Sequence, residues 1–140
     1  MEPQSVPVDT LWHETLRHSL TAMDFSRLVG IPYKKGGMSE SGFDCYGLVR
    51  YVAREEIGIN LPEKPIGWRR HGKLLGKDTE IESLDVIFFC MANDYGLTDH
   101  IGIAVSGTEF IHASGPAGSV VQEPIRRYAH RVINVGRLGR

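Results

Sequence analysis

An α+β fold with a mostly antiparallel sheet is predicted for this chain of 140 residues. Three observations carry that prediction. Helical periodicity is confined to the first sixty or so residues, whereas strand-like patterns dominate from Asp85 onward. Glycine is raised, at 16 residues, which favours turns and close backbone approaches over a helical bundle. Repeats and low-complexity tracts are absent, so the elements are read as one domain over 1–140.

Composition narrows the class further. Hydrophobic residues make up 41% and charged residues 24%, the ordinary balance of a globular domain with a core. A formal net charge of −1 and a pI near 6.6 speak against general binding to nucleic acid or to a membrane surface. Two cysteines are too few for a disulfide framework. The N-terminal stretch lacks a basic start and an unbroken apolar run, so no signal peptide is read there.

Element by element, residues 1–8 carry two prolines and are expected to be loose. A helix is expected from Asp9 or Thr10, with Trp12, Leu16, Leu20 and Met23 on one face, ending before Gly30. A polar, glycine-rich loop follows from Ile31 to Gly42. Cys45, Leu48, Val49, Val52 and Ile57 then share a helical face, and Gly58 is a natural stop. Residues 60–83 read as a long surface connection with one short helix near Arg69–Leu75. Strands are expected at Asp85–Cys90, His100–Val105, Glu109–Ala113, Val120–Glu123 and Arg131–Val135. Arg126, Arg127, Arg131, Arg137 and Arg140 near the C-terminus read as the charges of a solvated edge strand.

Chemistry concentrates at Cys45, where the loop enters the second helix. A helix N-terminus stabilises a thiolate, so a lowered thiol pKa is expected there. Cys90, ending an apolar run, reads as a buried small hydrophobe. Alternation puts His100, Gly102 and Ala104 on one strand face, and Phe110 and His112 on one face of the next. If Ser106-Gly107-Thr108 is a three-residue hairpin loop, Gly102 pairs with His112. His100 then lies diagonally from His112 on the same face, roughly 7–8 Å away across the backbone. Small residues beside the histidines leave room for the cysteine helix to pack on that face. Thiol, first imidazole and second imidazole then form a nucleophile, base and orienter. A zinc site from Cys45, Cys90, His100 and His112 lacks the close ligand pairs such sites use, so no metal and no cofactor are expected. His13, His18, His71 and His130 are read as ordinary surface or core histidines.

The segment Pro32-Tyr33-Lys34-Lys35-Gly36-Gly37, then Gly42-Phe43-Asp44-Cys45-Tyr46-Gly47-Leu48-Val49, resembles the cysteine segment of the NlpC/p60 cell-wall peptidases. Leu84–Phe89 resembles their first core strand, and His100–Val105 with Phe110–Ala113 resembles their histidine hairpin. The resemblance spans about residues 20–115, in the family's order. It implies a papain-like fold and a cysteine endopeptidase acting on stem peptides of peptidoglycan, typically after γ-D-glutamate. By position it makes Cys45 the nucleophile, His100 the general base and acid, and His112 its orienter. Tyr33, twelve residues before Cys45, matches a tyrosine placed to stabilise the oxyanion. Asp44 matches an acidic position associated with substrate recognition.

One departure is Tyr46, where the lytic members usually carry serine in the substrate-amine site. An aromatic there resembles phage-encoded, tail-associated members. The expectation is therefore a protein made in the cytoplasm and acting at the cell wall, delivered with a phage tail or by another route. Phage tail proteins are its expected partners besides the stem peptide. Two alternatives stay open: another γ-linked amidase or acyltransferase with the same triad, and a non-catalytic tail or wall-binding module.

Overall fold

The structure, a computed structural model, describes residues 24–64, 68–92 and 96–139. Its frame is a sheet of six strands, β3 (Gly72–Leu74), β4 (Val86–Phe89), β5 (His100–Ala104), β6 (Glu109–Ser114), β7 (Ser119–Pro124) and β8 (Val132–Leu138). Their spatial order is β3-β8-β4-β5-β6-β7, with each neighbouring pair antiparallel. A small hairpin, β1 (Met38–Ser39) with β2 (Gly42–Phe43), precedes the helix α1 (Cys45–Val52). The expected α+β class and antiparallel sheet are thus present.

Period-two alternation in the strands divides the core between two faces. On one face Val86, Ile101, Ile103, Ile111, Ala113 and Val120 meet Leu48, Val49 and Val52 of α1. Full burial of aliphatic side chains such as Leu48 and Val49 contributes about 1.5–3 kcal/mol each. The opposite face buries Ile87, Phe89, Ala104, Phe110 and Val135 under Ile125 and Tyr128 of the 3₁₀ segment Ile125–Arg131. The expected helix face is therefore real. After Val52 the helix widens into one π-type turn, Ala53–Ile57, and stops at Gly58 with φ of 78°.

Three expectations change. The short helix near Arg69–Leu75 is instead a single 3₁₀ turn, Trp68–Arg70, followed by strand β3. Pairing with β8 satisfies its backbone, with Lys73 opposite Arg137, which a short isolated helix cannot match. The arginine-bearing last strand is not an edge: β8 lies between β3 and β4. Its charge is matched from afar, because Arg137 donates to both oxygens of buried Asp85 at 2.9 and 2.8 Å and contacts Glu82 at 3.4 Å. Of the first expected helix, only its end is described, as a 3₁₀ turn over Asp24–Leu28 that buries Phe25 and Leu28. The rest of that helix and the loose residues 1–8 lie outside the described residues.

Candidate active site

Asp44 builds the N-terminus of α1. Its backbone is extended (φ −95°, ψ −179°), and its Oδ1 accepts the Gly47 amide at 2.6 Å, an N-cap. Its Oδ2 accepts from the Gly36 amide at 3.0 Å, and the Asp44 amide donates to the Gly37 carbonyl at 3.1 Å. The glycine-rich loop is thereby tied to the first turn, and Cys45 is fixed as the first helical residue. Cys45 is half-buried and unbonded to any other cysteine.

Cys45 and His100 both line two adjoining cavities. The larger, about 410 Å³, also takes in Tyr33, Met91, Asp99, His112 and Tyr128. The smaller, about 210 Å³, adds Tyr46, Phe88, Thr98 and Ile101. Tyr33 is held at the rim by a bridge to Phe43 and by its amide on the Gly118 carbonyl at 2.9 Å. Four residues singled out by sequence, Tyr33, Cys45, His100 and His112, therefore converge on one cavity. Cys90 is buried and is not among the residues lining it. Among the described residues no group of three or more His, Cys, Asp or Glu side chains is arranged to hold a metal ion.

The histidines meet through sheet register. Ile103 lies opposite Ile111 and Ala104 opposite Phe110, closing the three-residue loop Ser106–Thr108. Extended toward the strand ends, this register puts Gly102 opposite His112 and His100 on the diagonal, as expected. His100 Nε2 and His112 Nδ1 are 2.8 Å apart. However, α1 does not pack on the histidine face. It packs on Ile101, Ile103 and Ile111, and the space left by Gly102 is filled by the Phe110 ring. A Cβ on Gly102 would lie 2.8 Å from Phe110 Cδ2. Cys45 instead lines the same two cavities as His100, with its sulfur by the Ile101 amide near the start of β5.

Sequence reasoning missed Glu123. Its Oε2 lies 2.7 Å from His112 Nε2, and its Oε1 accepts from Arg127 at 2.7 Å. Tyr128 hydroxyl reaches both carboxylate oxygens at 3.0 Å. The signal was available: Gly115–Gly118 closes a hairpin that pairs His112 with Val121, so Glu123 shares the face of His112 one diagonal further on. Phe110 stacks on the His112 ring at 4.6 Å and 16°. Tyr128 stands edge-on to His112 at 6.0 Å, which fixes the ring laterally.

Electrostatics keep both imidazoles and the thiol uncharged at rest. Burial, together with the neighbouring His112, lowers the His100 pKa to about 4 against a small opposing pull from Asp99. Burial also lowers that of His112, with Glu123 partly offsetting it. Burial pushes the Glu123 carboxyl up, but hydrogen bonds from His112, Tyr128 and Arg127 outweigh it and hold the group below its ordinary range. The Cys45 thiol is pushed up by burial and by the Asp44 carboxylate, although backbone amides of Ile101, Tyr46 and Cys45 pull the other way. The lowered thiol pKa expected from helix position is thus overridden by burial and an adjacent anion. Tyr33 is raised as well, by burial and by the charges of Cys45 and Asp44.

Asp44 and Tyr46 face a third cavity of about 290 Å³ with Gly36, Arg50, Glu63 and Lys64. The Tyr46 hydroxyl donates to the Pro62 carbonyl at 2.7 Å, and Arg50 to that of Leu61 at 3.3 Å. Tyr46 therefore straps the segment after Gly58 onto the helix as well as lining the smaller cavity beside Cys45.

A helix whose first residue is a cysteine lining a cavity with a histidine pair, packed on an antiparallel sheet, makes this an α+β protein with a cysteine–histidine site. The chain belongs to the NlpC/P60 family, whose model matches residues 30–137. It is 29% identical over 108 residues to the murein DD-endopeptidase MepS/murein LD-carboxypeptidase of Escherichia coli K12, covering 77% of this chain and 55% of that protein. It is 36% identical over 89 residues to the gamma-DL-glutamyl hydrolase of Bacillus subtilis, covering 63% of this chain and 21% of that protein. The chain thus spans about half the length of curated relatives such as MepS, and less of the hydrolase. Among solved structures, the NlpC/p60 domain of the peptidoglycan hydrolase SagA superposes with a TM-score of 0.68 at 26% identity, covering 88% of this chain and 97% of that one. NlpC2 of Trichomonas vaginalis gives 0.73 at 23% identity, covering 87% and 47%, a likeness of fold.

Proposed function

We propose that this protein is a cysteine endopeptidase that hydrolyses an amide bond in the stem peptide of bacterial peptidoglycan, after γ-D-glutamate. The observation that carries the reading is the His100 Nε2 to His112 Nδ1 contact of 2.8 Å beside Cys45. It occupies one nitrogen of His100 and leaves Nδ1 as the ring atom available to the thiol. His100 takes the Cys45 proton as sulfur attacks the carbonyl carbon, then returns it to the leaving amine. Water, deprotonated by the same imidazole, releases the acyl group and restores the thiol. The Cys45 amide and the Tyr33 hydroxyl are the donors assigned to the tetrahedral oxyanion. Asp44 and Tyr46 shape the substrate side, the former as a carboxylate toward an amino group. The activities of the relatives, murein endopeptidase and gamma-DL-glutamyl hydrolase, support this substrate class.

Purified sacculi digested by the wild-type protein should release muropeptides whose masses name the bond, and Cys45→Ala should release none while keeping its fold. Hydrolysis retained in Cys45→Ala would refute the nucleophile. Tyr46 supports a second reading, an amidase or acyl transfer on another γ-linked amide, which the product masses separate from the first. The same aromatic supports delivery to the wall with a phage tail. A non-catalytic module is disfavoured by the convergence of Cys45, His100 and His112, and unreactive Cys45 in an alkylation assay would revive it.

A further inference from the structure

We infer that Glu123 is a positioning residue that sets the tautomers of both histidines, so that a carboxylate on β7 leaves a bare nitrogen facing Cys45 two strands away. The inference rests on the peptidase reading only for its consequence in catalysis; the proton arrangement stands on the two ring contacts, together with the burial that keeps both imidazoles neutral.

The three side chains lie on successive diagonals across β5, β6 and β7, on the sheet face away from α1. An ionised carboxylate only accepts hydrogen bonds. At 2.7 Å, then, the proton between Glu123 Oε2 and His112 Nε2 belongs to the histidine. Neutral imidazole carries one N–H, so His112 Nδ1 is left with a lone pair. It faces His100 Nε2 at 2.8 Å, which must donate. Neutral His100 then has its lone pair on Nδ1, the only arrangement in which it can take a proton from the thiol. No net proton moves along this chain; each link dictates which end of the next ring is protonated. Glu123 is itself held by Arg127 and by Tyr128. The rings of Phe110 and Tyr128 prevent His112 from turning out of line. Without Glu123, the His112–His100 contact fits either direction of donation, and half of those arrangements place a proton on His100 Nδ1.

The decisive measurement is long-range 1H–15N NMR of the ring nitrogens in uniformly 15N-labelled protein at pH 7, with His100 and His112 assigned by single replacement. The wild type should show both rings protonated at Nε2 and bare at Nδ1. A wild type with His112 protonated at Nδ1 would overturn the inference without any variant. Glu123→Gln is nearly isosteric, and its amide can donate as well as accept. It should convert the single tautomer of each ring to a mixture, and lower kcat on muropeptides in proportion to the fraction of His100 protonated at Nδ1, about twofold for an even mixture, with KM little changed. Unchanged tautomers in a folded Glu123→Gln would also overturn it. If wild-type protein digests no peptidoglycan, the peptidase reading falls while the NMR result still decides the role of Glu123.

Discussion

Neutral, half-buried His100 has a measurable consequence for stability at acid pH. Its pKa is about 4 in the folded protein, against 6.5 for an unperturbed histidine. In the unfolded chain the ring takes up a proton below pH 6.5, whereas in the native state it resists until about pH 4. The unfolded state therefore binds more protons across that window, and stability falls as pH falls from 6.5 to 4. At pH 4.5 the proton linkage amounts to about 2.5 kcal/mol, from a difference of roughly two and a half pKa units, less the part not yet titrated. Carboxylates also lose stabilising partners in this range, so the wild type alone is not diagnostic. Urea unfolding of wild type and His100→Gln at pH 7 and 4.5 isolates the term. The loss of stability between the two pH values should be about 2.5 kcal/mol larger in the wild type. A difference under about 0.5 kcal/mol, or one of opposite sign, would refute an imidazole held neutral at this position.

Other substitutions read separate parts of the frame. Asp85→Ala leaves Arg137 without the partner it grips with two hydrogen bonds, and the carboxylate is fully buried, so chemical denaturation should show a loss of about 3–5 kcal/mol. Gly102→Ala forces the Phe110 ring off its seat, and with it the ring stacked on His112. A cost of about 1–3 kcal/mol by urea unfolding is expected, together with slower alkylation of Cys45. Asp44→Ala removes an N-cap and the anchor for the Gly36 amide, and its midpoint shift should correspond to about 1–2 kcal/mol.

The parts legible in the sequence are those fixed by local period. Alternation through His100–Val105 and Glu109–Ala113, with an odd loop between, was enough to put two histidines on one face, and the structure has them in contact. Helical spacing from Cys45 gave the face that α1 buries. Illegible were the choices that depend on partners distant in the chain. Nothing near Arg137 in sequence announces Asp85, 52 residues away, so a charged strand read locally looked like an edge. The side of the sheet on which α1 would pack was misread for a related reason. Gly102 signals a close approach, but sequence does not say by what, and two claimants fitted: a helix and the aromatic two positions before His112.

That misreading reveals how the site is built. Had α1 packed on the histidine face, helix side chains would crowd the line from His100 to Glu123. With α1 on the aliphatic face, its first residue lines the same two cavities as His100. The opposite face is then free for Phe89, Phe110 and Tyr128 to pack around the imidazoles and bury His112. That enclosure accounts for the depressed histidine basicity and for the dependence of the pair on an acceptor behind it. A buried ring with an unpaired nitrogen is costly, so Glu123 accepts from the last N–H of the chain, while His100, at its other end, lines the cavity with Cys45.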